Sequence, residues 1–163
     1  MPIASQQIIG AEGSAEDLIR ALDLRPHPEG GFYRETWREK TDASVRGAGT
    51  AIYFLLPGGV VNRWHRVDAV EIWHFYAGAP LQLSIAREGE AESRQILGSA
   101  VLAGERPQLE VPAHAWQRAK SLGAWTLVGC TVSPAFEFQH FEIARDGWEP
   151  AGSGSGSGAG SGA

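Results

Sequence analysis

Sulfur is almost missing from this chain of 163 residues, which carries one cysteine and one methionine. A single cysteine excludes a disulfide within the chain, and Cys130 sits in the apolar run from Trp125 to Val132, where it reads as a small buried hydrophobe. Long apolar runs are missing too. No stretch approaches the roughly 18 consecutive apolar residues that a membrane helix needs, and residues 1–20 lack a basic segment followed by an apolar one. The expectation is a cytoplasmic protein with no membrane partner. Positive charge is sparse: the 14 basic residues stand singly against 19 acids, for a net charge of −5, so no phosphate-tracking stripe exists and nucleic acid is not an expected partner.

Helical periodicity is the other scarcity. Ser14, with Asp17 three residues on and apolar residues at 18, 19 and 22, predicts one short capped helix. The breaker cluster Pro26-His27-Pro28-Glu29-Gly30-Gly31 ends it, and no useful helical period returns. Short strands are expected instead at 32–38, 50–56, 63–67, 70–76, 81–87, 93–97, 108–111, 116–120, 125–132 and 136–143, separated by Gly- and Pro-rich turns. That pattern is all-β, a sandwich or closed barrel. From Ala151 to Ala163 only Gly, Ser and Ala occur, the composition of a flexible linker, so the chain divides into an N-terminal extension at 1–13, one domain at 14–150 and a tail at 151–163.

A motif chooses between the architectures. Gly59 is followed, after five residues, by His65-Arg66-Val67, then after three by Glu71 and after six more by Gly78. Positions 65 and 67 share one strand face, and Glu71 enters from the next strand, so these side chains should converge on one interior. This spacing resembles the first cupin motif, Gly, five residues, His-x-His, three or four residues, Glu, six residues, Gly, with Val67 in place of the second histidine. Pro112-Ala113-His114-Ala115-Trp116-Gln117 is similar to the second motif, Pro-x-Gly-x-x-His, with His114 in the glycine position and Gln117 in the histidine position. The segments Gly30 to Thr36, Ala51 to Leu56, Trp64 to Asp68, Trp73 to Gly78, Leu127 to Val132 and Phe136 to Glu142 resemble one branch of the superfamily, the small cupins of unknown function often labelled predicted sugar epimerases. The resemblance implies a double-stranded β-helix, or jelly-roll barrel, with the short N-terminal helix added. It also implies a homodimer.

Within that barrel His65 is the candidate general base, since an imidazole titrates near neutral pH; the alternative is a core histidine bonded to Glu71. Glu71 would orient it, act as an acid or serve as a buried acceptor. Tyr33, Tyr53 and Tyr76 are the only tyrosines, and one of them, Tyr53 foremost, is expected as the opposing acid. Arg63, which by parity should share the face of His65, and Arg34 would hold an anionic group. Tyr33, Trp73, Trp116, Gln117 and His114 complete the expected substrate contacts, whereas odd spacing from Glu71 sends His74 to the opposite face. His27 and His140 carry no signal beyond the resemblance. A divalent transition metal would have only His65, Glu71 and Gln117 as donors, so a metal-free site is favoured. Three functions follow: a metal-independent epimerase or isomerase acting on a small polar metabolite such as a sugar derivative, a metal-dependent dioxygenase or isomerase, and a non-catalytic small-molecule binder.

Overall fold

The computed structural model describes residues 13–153; positions 1–12 of the N-terminal extension and the tail from 154 onward lie outside the described residues. Ser14 caps α1 (Ala15–Ala21). Its Oγ accepts the Asp17 N–H at 3.2 Å while Asp17 Oδ2 accepts the Ser14 N–H at 3.1 Å, a reciprocal capping box. Leu18, Ile19 and Leu22 then pack with Leu24, Leu55 and Trp125, so the helix covers part of one outer sheet face.

The strands are β1 (Arg25–Pro26), β2 (Phe32–Arg38), β3 (Thr50–Pro57), β4 (His65–Val67), β5 (Val70–Gly78), β6 (Leu81–Ala86), β7 (Ser93–Leu97), β8 (Gln108–Val111), β9 (Trp116–Ser121), β10 (Trp125–Ser133) and β11 (Phe141–Ile143). They form two antiparallel sheets, in the orders β1-β2-β3-β10-β5-β8 and β11-β4-β9-β6-β7. Period 2 builds the interior between them. Phe54 and Leu56 of β3, Trp73 of β5, Leu81 and Leu83 of β6, and Val128 of β10 turn inward, while Tyr53 and Leu55 turn out toward the helix. At the end of β5 the chain reverses at Gly78, with φ +90, and a Cβ there would lie 2.5 Å from the Trp125 ring. Only glycine fits.

Two sequence expectations need correction. The run 136–143 alternates like a strand, but only Phe141–Ile143 is one. Its phenylalanines pack on each other instead, Phe136 against Phe138 at 5.0 Å between centroids, around a 3₁₀ turn at Phe138–His140. The strand expected at 63–67 begins only at His65, because Arg63 and Asn62 give their backbone N–H groups to the carbonyls of Glu29 and Ala119, outside any regular ladder. Parity therefore does not carry back to Arg63.

Candidate functional site

The open end of the barrel holds a cavity of about 290 Å³. Alternate residues of β2 (Tyr33, Glu35), β3 (Thr50, Ile52, Phe54), β4 (His65, Val67), β5 (Glu71, Trp73) and β10 (Cys130, Val132) face it, and the 136–141 turn sets Phe136, Phe138 and Phe141 against it. Its walls are mainly aromatic and aliphatic. Its ionisable lining groups are His27, Glu29, Glu35, Arg38, His65 and Glu71.

His65 and Glu71 line it together as the motif spacing predicts, both buried. Between them stands a group that the sequence did not single out, Glu29. Two glycines at positive φ, Gly30 and Gly31, fold the breaker cluster back on itself, with Gly30 N–H given to the His27 carbonyl at 3.0 Å and His27 N–H to that of Gly31 at 2.9 Å. Glu29 is thereby aimed inward, 6% exposed, with Oε2 3.0 Å from His65 Nε2 and 3.5 Å from His27 Nδ1. Asn62 Nδ2 donates to its other oxygen at 3.0 Å. The available signal was the local spacing His27-x-Glu29 ahead of two glycines, which reads equally well as a plain turn.

The protonation states follow from burial. His65 Nδ1 lies 2.7 Å from the Arg63 carbonyl, which can only accept, so Nδ1 carries the proton and Nε2 turns toward Glu29. Burial holds His65 down at about 4 and His27 likewise at about 4. Glu29 is pushed well above the usual carboxylate range, first by burial and then by the nearby Glu71. Near neutral pH the 3.0 Å contact is therefore a neutral carboxylic acid donating to a neutral imidazole rather than an ion pair. Glu71 rises only to about 6, because Gln117 Nε2 donates to it at 2.6 Å and the Cys130 thiol also bonds to it, partly offsetting burial. Burial and the two carboxyls push that thiol up, so Cys130 stays protonated.

Other expected site residues fall elsewhere. Tyr53 lies on the outer face of β3, with Arg34 of β2 over its ring at 5.6 Å, because odd positions of β3 and, before the bulge that follows Glu35, even positions of β2 face away from the cavity. Arg63 points out to Asp146 at 2.7 Å. Trp116 packs outside the smaller sheet against Trp148, under the Arg66 guanidinium. His114 is an exposed turn residue at φ +65, in the left-handed region that favours glycine, the residue expected at that position of the motif. Tyr33 and Trp73 line the cavity, and Gln117 lies buried behind it, accepting the Trp73 indole N–H at 2.9 Å. His74 sits on the opposite face of β5, as parity predicts, between Thr131 and Gln108.

The metal donors that a cupin barrel usually offers do not fit here. Val67 has no donor atom, both nitrogens of His65 are engaged, and the Gln117 oxygen is taken by Trp73. Among the described residues no group of three or more His, Cys, Asp or Glu has the spacing to hold a metal ion. No helix there is long and apolar enough to cross a membrane.

A family model described as Cupin superfamily (DUF985) matches residues 16–144. A crystal structure of a Shewanella oneidensis protein is similar, with a TM-score of 0.76 and 39% identity, over 81% of this chain and 85% of that one. A hypothetical protein from Leishmania major is similar with a TM-score of 0.75 and 32% identity, over 81% and 88%. Oxalate decarboxylase from Bacillus subtilis, at a TM-score of 0.58 and 13% identity over 75% of this chain and 30% of that one, shares the fold alone. No curated protein matches.

Proposed function

This chain belongs to the cupin superfamily, in the DUF985 family, and on that basis we propose that it is a metal-free enzyme of the isomerase or epimerase type, moving a proton within a small molecule held in the barrel. One observation carries the reading: two buried carboxyl groups in one cavity, Glu29 and Glu71, have environments that separate their titrations. Glu71, ionising near pH 6, is matched to remove a proton from a carbon beside a carbonyl. The electron pair released moves onto the carbonyl oxygen. Glu29, still protonated and held by its hydrogen bond to His65 Nε2, is the acid that answers it; after turnover solvent returns a proton to Glu29 and takes one from Glu71. The geometry thus supports roles different from the expected ones, since His65 is engaged on both nitrogens and Tyr53 faces away.

The test is NMR-detected exchange of solvent deuterium into the α-carbon of a panel of hydroxy-aldehydes, hydroxy-ketones, aryl ketones and amino-ketones. Wild-type protein should label at least one compound, and Glu71→Gln and Glu29→Gln should each slow that labelling by about 10²- to 10⁴-fold. Labelling unchanged in both variants, or none by the wild type, removes the proposal.

A further inference from the structure

Resting on that reading of the cavity, we infer that its substrate is a small organic cation, an amine whose ammonium lies beside Glu71 and whose apolar body lies against the aromatic wall. Three observations lead there. The first is charge. Glu29, Glu35 and Glu71 line the cavity against one basic residue, Arg38, whose guanidinium is already held by Glu35 at 2.8 and 3.0 Å. Glu29 keeps its proton and donates it in a hydrogen bond to His65, and the two imidazoles nearby are uncharged near neutral pH, so the ionised Glu71 is left without a cationic counterpart and the missing complement is positive. An anionic sugar phosphate or carboxylate would find no cation to receive it.

The second is the wall. His27 meets Tyr33 edge-on at 4.6 Å and lies 6.2 Å from the Phe138 ring; Phe141 is 5.8 Å from His27 and 5.6 Å from His65. Phe54 meets Trp73 at 5.7 Å. Aromatic faces surrounding a carboxyl pair are the setting in which quaternary and methylated ammonium groups bind, because ring quadrupoles attract a cation that has shed water. The third is size. At about 290 Å³ the space is at the small end of ligand pockets, suited to one ring or a short chain rather than a nucleotide. Phe138, half exposed at the mouth, is the aromatic edge that such a ligand would pass.

Three probes with one skeleton isolate the charge: 2-phenylethylamine, 2-phenylethanol and phenylacetate, titrated into the full chain at neutral pH by calorimetry. The amine should bind about tenfold or more tighter than the alcohol, and phenylacetate weakest. Glu71→Gln should bring amine and alcohol to within about threefold of each other, whereas Phe138→Ala should weaken both alike. Phenylacetate binding as well as the amine, an alcohol equal to the amine in the wild type, or no binding of any probe overturns the inference. The proton-transfer proposal fails separately. If deuterium labelling persists while the charge order is wrong, only the substrate class falls; if labelling is absent while the amine ranks first, the cation site stands without the chemistry.

Discussion

Replacing Glu71 by glutamine removes one ionisation and little volume. The new side-chain oxygen can still accept from Gln117 Nε2, 2.6 Å away in the wild type, so the hydrogen bond behind the cavity persists. What changes is the linkage between pH and folding. Burial raises Glu71 from 4.5 to about 6, so between those values the folded protein keeps a proton that the unfolded chain has already released. A carboxyl raised on folding contributes its stabilisation fully below about pH 4.5 and loses it as the pH climbs through 6. A gap of about 1.5 pH units corresponds to roughly 2 kcal/mol at about 1.36 kcal/mol per unit. Glu71→Gln escapes that loss. Thermal or urea unfolding of both proteins from about pH 4.5 to 8 should show them equal at the acid end. Near pH 7.5 the variant should be more stable by about 2 kcal/mol, worth roughly 5 °C in a domain this size. His65 and His27 titrate in the same range with the opposite sign, but both proteins carry them and the difference largely cancels. Relief of the repulsion on Glu29 acts in the same direction as the main effect. A stability difference that does not change with pH, or a variant less stable than wild type at pH 7.5, would refute the account of the cavity. The same substitution that raises stability should slow labelling, the trade expected where a site holds an unfavourable charge for its chemistry.

Two further outcomes follow from the geometry. Val67→His combined with Gln117→His restores the imidazoles that the motif usually supplies beside His65 and Glu71; elemental analysis after dialysis against cobalt(II) should show near-stoichiometric metal in the double variant and little in the wild type. Gly78→Ala places a methyl group 2.5 Å from the Trp125 ring and backbone at φ +90, and should cost about 3 kcal/mol or more in urea unfolding; a loss below about 1 kcal/mol would mean that the turn relaxes freely.

Period 2 made most of the framework readable from sequence. The capped helix, the turn at Gly78, and nine of the ten expected strands lie where alternation and breakers put them, shifted mainly at their ends. The meeting of His65 with Glu71 was legible for the same reason, since both sit on regular strands whose faces can be counted. Counting failed where the backbone leaves the ladder. Arg63 turns out because Asn62 and Arg63 give their backbone N–H groups to Ala119 of β9 and to Glu29 instead of to a ladder partner, and 136–140 turns because three phenylalanines cluster. Glu29 was hidden for a deeper reason. A carboxyl in a Pro- and Gly-rich segment is ordinarily solvated, and nothing local records that two left-handed glycines direct it to His65, thirty-six positions later in the chain. The parity of Tyr53 was readable, and its assignment as an acid gave the nature of the side chain more weight than its face.

The indole of Trp73 can only give a hydrogen, so the glutamine beyond it must present oxygen to the indole and its NH₂ to Glu71. One carboxyl oxygen of Glu71 is thereby reserved as a receiver at every pH, and any proton the group picks up must ride on the other. A ring that never titrates in water thus decides from which side of a carboxyl acid chemistry can leave, much as a keyed plug admits one orientation.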